Sequence, residues 1–154
     1  MSNDGSNGNG SKAQTQQFAL RQLYIKDLSF ESPNSPAVFA EKFEPDVKLN
    51  LQTAHKVVEG ETYEVVLQLT AHATTGERSL FLVEIEQAGL FELSGYTPEQ
   101  TQIILGTHCP ATLFPYAREA ISSLVVRGGF PPLLLQPINF DALFAHAQRN
   151  REMA

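Results

Sequence analysis

Residues 62–87 read TYEVVLQLTAHATTGERSLFLVEIEQ. Tyr63, Val65, Leu67, Leu69 and Ala71 alternate with Glu64, Val66, Gln68 and Thr70. A repeat of two is that of a strand with one buried face. Thr74-Thr75-Gly76-Glu77 reads as a hairpin turn. Alternation resumes from Arg78 to Gln87, where Phe81, Val83 and Ile85 point one way and Leu80, Leu82, Glu84 and Glu86 the other. Two such strands joined by a tight turn pair antiparallel.

Towards the N-terminus the same pattern recurs. Val47, Leu49 and Leu51 alternate with Lys48, Asn50 and Gln52 and predict another strand. In Phe18–Glu31, Phe18, Leu20, Tyr24, Leu28 and Phe30 share one parity, while Leu23 and Ile25 make the second face apolar in its middle. Ser32-Pro33-Asn34-Ser35-Pro36 ends that strand, because proline has no amide donor. Towards the C-terminus the period changes. Thr97-Pro98-Glu99-Gln100 is a capping box with proline at the first helical position, and this helix stops near Gly106. A longer helix is expected after Pro110, with Leu113, Phe114, Ala117, Ile121, Leu124 and Val125 at helical spacing and Gly128 as its stop. Asn139 caps a last helix carrying Phe140, Leu143, Phe144 and Ala147 on one stripe.

Strands first and helices last is an α+β order, most simply one four-stranded antiparallel sheet covered by helices. The 154 residues suit one domain. Residues 1–16, rich in Gly, Ser, Asn and Gln, are expected to form a disordered tail. The folded domain is placed at 17–148 and a short C-terminal tail at 149–154. The second apolar face of the first strand, with Val83 and Ile85, suggests more apolar surface than one chain buries, and hence an oligomer.

The formal charge of −6 leaves no basic surplus for a nucleic-acid partner, and an acidic surface repels anionic lipid. No apolar run approaches the roughly twenty residues of a membrane span. No signal peptide is read at the N-terminus, and a single cysteine suits a reducing cytoplasm. No His or Cys spacing forms a metal motif, no glycine-rich phosphate loop follows a strand, and no cofactor is expected. Two features could carry chemistry. Glu84 and Glu86 share a strand face and could act as an acid/base pair, although solvated carboxylates are the plainer reading. Cys109 lies at a helix start that could lower its pKa, although a lone cysteine is more often a packed residue. A third feature is the company of these carboxylates. Leu82 shares a face with Glu84, and Asp27 and Glu31 share another, an arrangement like a small docking site for a basic partner with one apolar contact, although an ordinary solvated face is the plainer reading.

Residues 24–36, YIKDLSFESPNSP, strongly resemble the opening of the SecB family of bacterial protein-export chaperones. YEVVL at 63–67, Cys109-Pro110, LFPYARE at 113–119, RGGFP at 127–131 and PINFDALF at 137–144 continue the resemblance in order, so that it spans residues 17 to 146. The resemblance implies a four-stranded antiparallel sheet followed by helices, assembled as a homotetramer that is a dimer of dimers. It also implies an ATP-independent cytoplasmic holdase that is not an enzyme. Such a chaperone binds unfolded precursor proteins, keeps them translocation-competent and delivers them to the SecA motor.

Carried over by position, the SecA-binding residues are Asp27, Glu31, Leu82 and Glu84. They would receive SecA's basic zinc-binding tail, whose zinc belongs to the partner. The client-binding residues are Phe43, Val47, Leu49, Leu51, Phe140 and Phe144, of which Val47, Leu49 and Leu51 alternate as core residues also would. Val83, Ile85 and Gln87 fall where the family's fourth strand affects assembly. Three other readings stay open. One is a chaperone of the same fold dedicated to one client, such as an antitoxin. A second is a small enzyme using Glu84 and Glu86, or Cys109. A third is a structural oligomer with no client.

Overall fold

The structure is a computed structural model and describes residues 15–42 and 44–153. The expected disordered tail lies, through residue 14, outside the described residues, as does Phe43. The elements run β1 (Gln17–Glu31), a 3-10 turn (Ala37–Ala40), β2 (Asp46–Glu59), β3 (Thr62–Thr75), β4 (Arg78–Ser94), α1 (Pro98–Gly106), α2 (His108–Arg127) and α3 (Phe140–Glu152). The strands form one sheet in the order β1-β4-β3-β2, with every neighbouring pair antiparallel. Gly60 and Gly76 open the turns of the two hairpins at φ 56 and 59, where a side chain would be strained.

The alternation in β3 and β4 places Val65, Leu67, Leu69, Ala71, Phe81, Val83, Ile85 and Phe91 in the core on one face. α2 lies across β4 and β3 on that face. Its buried stripe is Cys109, Leu113, Ala117, Ile121 and Val125, one residue per turn. The helix starts at His108, before the expected point. Pro110 falls in the first turn, where no intrahelical amide bond is required of it. β4 runs to Ser94, past the expected end at Gln87. Ala88 and Gly89 carry too little side chain to show alternation. A Cβ on Gly89 would stand 2.9 Å from Phe91, 3.0 Å from Leu20 and 3.1 Å from Leu113, so the helix approaches the sheet where a side chain is missing.

β1 resolves differently from its parity. Its pairing with β4 shifts between Leu20 and Gln22, and again between Ile25 and Asp27. Each shift is a one-residue bulge, and each reverses the parity. Leu20, Leu23, Ile25, Leu28 and Phe30 therefore pair with Phe91, Gly89, Gln87, Ile85 and Val83, all on the helix-covered face. The apparent second apolar face of β1 does not exist, and Tyr24 instead turns to the opposite face beside Ala88. Leu80 lies at a further shift and is buried, not outward with Leu82.

Val83, Ile85 and Gln87, expected to affect assembly, are buried within one chain, and the Gln87 side-chain amide donates to the Tyr24 carbonyl at 3.1 Å. They lie on the face of β4 that α2 crosses. Exposed apolar side chains lie elsewhere, among them Phe18, Ile25 and Leu28 on β1, Val57 and Val58 on β2, and Tyr116 and Val126 on α2 with Leu134 in the loop after it. α3 continues to Glu152, into the segment placed as a C-terminal tail at 149–154. The Asn139 side chain accepts from the Ala142 amide, Asp141 stands in the first turn and Arg149 and Arg151 in the last, each opposing the helix dipole.

Ile85→Ala should cost about 2–5 kcal/mol, as a cavity in one chain's core. Urea denaturation at low and high protein concentration checks this. The loss should be equal at both, whereas a direct contact between copies would make it grow on dilution.

Candidate functional site

The face of the sheet away from the helices carries the first candidate site. Strand register sets its side chains in rows: Glu31 opposite Leu82, with His72 and Lys48 beyond; Ser29 opposite Glu84, with Thr70 and Asn50; Asp27 opposite Glu86, with Gln68 and Gln52. The two outward sets read from the sequence, Asp27 with Glu31 and Leu82 with Glu84, thus meet on one face of two adjacent strands. Glu86 joins them. Asp27 and Glu31 are exposed, and Leu82, Glu84 and Glu86 half-buried.

Asp27 opposite Glu86 is a like-charge cross-strand pair, an arrangement that costs stability. Among the described residues, none of Asp27, Glu31, Glu84 and Glu86 has a cation partner. Three other carboxylates do: Glu92 meets Arg21 at 2.5 Å, Glu64 meets Lys26 at 3.0 Å, and Glu41 pairs with Arg78. Arg21, Lys26, Lys56 and Arg78 are thus paired with carboxylates other than those of the patch, and Lys48, in the Glu31 row on the same face, forms no ion pair with them among the described residues.

Beside the patch sits a cluster that the sequence did not suggest. Glu64 is only 8% exposed. It accepts a short hydrogen bond from the Tyr24 hydroxyl, a 3.0 Å bond from Lys26 Nζ and a 3.9 Å ion pair from Lys56. The Tyr24 bond and the two ammonium groups hold Glu64 below the usual carboxylate range, against the opposing pull of burial. Burial, followed by the bond to Glu64, pushes the Tyr24 hydroxyl up to about 12, so it remains a donor. The break in β1 parity at Leu23–Ile25 was the available signal, since it marks the bulge next to Lys26; Glu64 itself read as an ordinary polar position.

The second candidate site is a cleft of about 370 Å³ between the helix-side face of β2 and helices α1 and α3. Leu51, Thr53 and His55 form one wall, and Phe140, Leu143 and Phe144 another. Phe144 packs directly on Gly106, where a Cβ would stand 2.4 Å from the ring. Of the expected client-binding residues, Leu51, Phe140 and Phe144 come together here. Val47 and Leu49 lie further along the same face of β2, opposite Ala73 and Ala71. Leu49 is exposed, Val47 and Leu51 lean half-buried on the core, and Phe140 is 5% exposed with its ring 6.0 Å from that of Phe114. Burial and the nearby Arg151 lower His55 below the ordinary imidazole value, so the cleft holds a neutral histidine at neutral pH.

The residues considered for catalysis are not placed for it. Cys109 is fully buried, and burial pushes its thiol up to about 12, which overrides any effect of the helix start. Glu84 and Glu86 stand on the open sheet face among polar neighbours. Among the described residues no group of three or more His, Cys, Asp or Glu could hold a metal ion. No helix among them is long and apolar enough to cross a membrane.

Comparison with known proteins bears on the whole chain. Residues 11–151 match the family model described as preprotein translocase subunit SecB. The protein-export protein SecB of Marinobacter nauticus is 51% identical over 144 residues, 93% of this chain and 87% of that protein. Its counterpart in Hahella chejuensis is 50% identical over 135 residues, 88% and 85% of the two chains. Among solved structures, a SecB-like chaperone of Mycobacterium tuberculosis in complex with an antitoxin peptide matches with a TM-score of 0.66 at 18% identity. That match covers 79% of this chain and 91% of that one, and it is a likeness of fold.

Two outcomes follow from the buried groups. Cys109 should resist thiol reagents in the native protein and react only on unfolding, as a colorimetric thiol assay with and without denaturant would record. Glu64, with its lowered folded pKa, stabilises the fold above the ordinary carboxylate range and loses this effect as pH falls through the folded value. Glu64→Gln should therefore cost about 1–3 kcal/mol at neutral pH. Urea melts down a pH series should show the gap to the parent protein closing below about pH 4.

Proposed function

The chain belongs to the SecB family and is a protein-export chaperone of that non-enzymatic family, and from this premise we propose how its surfaces divide the work. The helix-side cleft takes unfolded precursor segments, and the outer face of the sheet hands the loaded chaperone to SecA in the cytoplasm. The observation that carries this reading is the row of carboxylates Asp27, Glu31 and Glu84 around Leu82, without an ion pair among the described residues and gathered on one open face. A basic tail with one apolar side chain matches that chemistry. Opposite charges speed encounter, and salt weakens it.

Holding needs no nucleotide. A protein that binds the unfolded chain lowers the population free to fold or aggregate, by mass action. A fast folder buries its apolar segments before capture, so slow folders are the clients. The cleft suits such cargo because Leu51, Leu143 and Phe144 offer apolar contact without sequence readout. Assembly as a tetramer would multiply both surfaces. The apolar side chains behind α2, where Leu134 is 78% exposed, are the surface that supports such assembly.

The test is refolding of a slow-folding precursor with and without this protein, in the absence of nucleotide, together with a pull-down of SecA's isolated zinc-binding tail. The wild-type protein should arrest refolding and retain the tail at low salt. Glu84→Lys should still arrest refolding but lose the tail. Arrest without tail binding would remove SecA delivery through this face, and failure to arrest any precursor would remove the holdase reading.

A further inference from the structure

We propose that Glu64 is a positioning residue for the outer-face docking surface: it holds Lys26 off the carboxylates of Asp27 and Glu86. The inference rests on the reading that this face receives a basic partner. Lys26 is the chain neighbour of Asp27, and Asp27 stands opposite Glu86. It is also the extra residue of the second bulge in β1, between Ile25 and Asp27, and a bulge re-aims its side chain. Lys26, Glu64 and Glu86 line one cavity of about 300 Å³, whose wall includes the small side chains Ala54 and Val66. A lysine in that cavity has carboxylates on two sides. The structure places its Nζ 3.0 Å from Glu64.

The two sides are unequal. Glu64 is almost fully buried and is fixed by the Tyr24 hydroxyl. Glu86 is half-buried and Asp27 exposed, and among the described residues neither has a hydrogen-bond or ion-pair partner to fix its side chain. A charge-assisted bond to a pre-positioned, desolvated carboxylate outweighs one to a solvated, mobile carboxylate. Glu64 therefore wins Lys26, and the docking carboxylates keep their full charge. Without Glu64 the four-carbon stem leaves the ammonium free to turn to Glu86 or Asp27. It would then occupy the place meant for the partner's cation.

A double-mutant cycle separates this from a bulk charge effect. The readout is affinity for the SecA tail peptide by fluorescence anisotropy at low and moderate salt, for wild type, Glu64→Gln, Lys26→Met and the double variant. Glu64→Gln should weaken binding about five-fold at low salt and flatten its salt dependence. In the Lys26→Met background the same substitution should change little. Equal losses in both backgrounds would mean that only net charge matters and would overturn the proposal. Wild-type protein that fails to bind the peptide would instead overturn the docking reading, and this inference with it.

A second measurement does not depend on how Glu64→Gln folds. Lys26→Met alone should bind the tail peptide as wild type does at both salt concentrations if Lys26 is held by Glu64. Markedly tighter binding by Lys26→Met would show that the lysine already rests on the patch, and would overturn the proposal.

Discussion

α2 packs one stripe, from Cys109 to Val125, onto one face of β3 and β4, and no helix among the described residues covers the other face. That one-sided cover is the constraint from which the remaining features follow. Side chains at alternate strand positions are forced to be apolar, and those between them are released from the core and free to be charged. Glu84 and Glu86 can stand two residues apart because Val83, Ile85 and Gln87 carry the packing between them. The same rule explains why a surface rich in unpaired carboxylates does not unfold the sheet that bears it. The charges sit where the fold asks nothing of them except solubility.

β1 shows how strongly that rule is enforced. Its sequence does not keep a period of two, and the backbone gives way instead: two bulges return Leu23 and Ile25 to the face of Leu20, Leu28 and Phe30. A parity count assumes an unbroken strand. It therefore assigned those residues to a second apolar face and inferred an oligomer from it. β3, without an interruption through Thr62–Ala73, was legible residue by residue. So were the capped starts of α1 and α3, because Thr97 and Asn139 act on amides only a few residues away. The beginning of α2 was read late, because proline is taken as a boundary when it is equally at home in a first turn.

The docking patch was half legible. Parity sorted its members into two groups, and family resemblance chose among them, but only the register between β1 and β4 joins Asp27 to Glu86 and Glu31 to Leu82. The Tyr24–Glu64–Lys26 cluster left only the break in β1 parity as a trace in the sequence. It links residues about forty positions apart, and one of them reaches its place only through a bulge. The cleft lay between these extremes. Leu51, Phe140 and Phe144 could be named, yet the contact that shapes it is the bare backbone of Gly106 beneath the Phe144 ring, and an absent side chain leaves no pattern to read.

The bulges have one more effect, on the open edge that β1 presents. They divide its ladder with β4 into Gln17–Leu20, Gln22–Ile25 and Asp27–Glu31. An unfolded precursor is itself a source of unpaired strands, and a long flat edge would invite it to extend the sheet and then template the next chain. Here a visiting strand meets an interruption and an added twist within a few residues in either direction. Along the β1 edge, a protein whose trade is to handle aggregation-prone chains thereby offers them no long, regular strand on which a fibre could start.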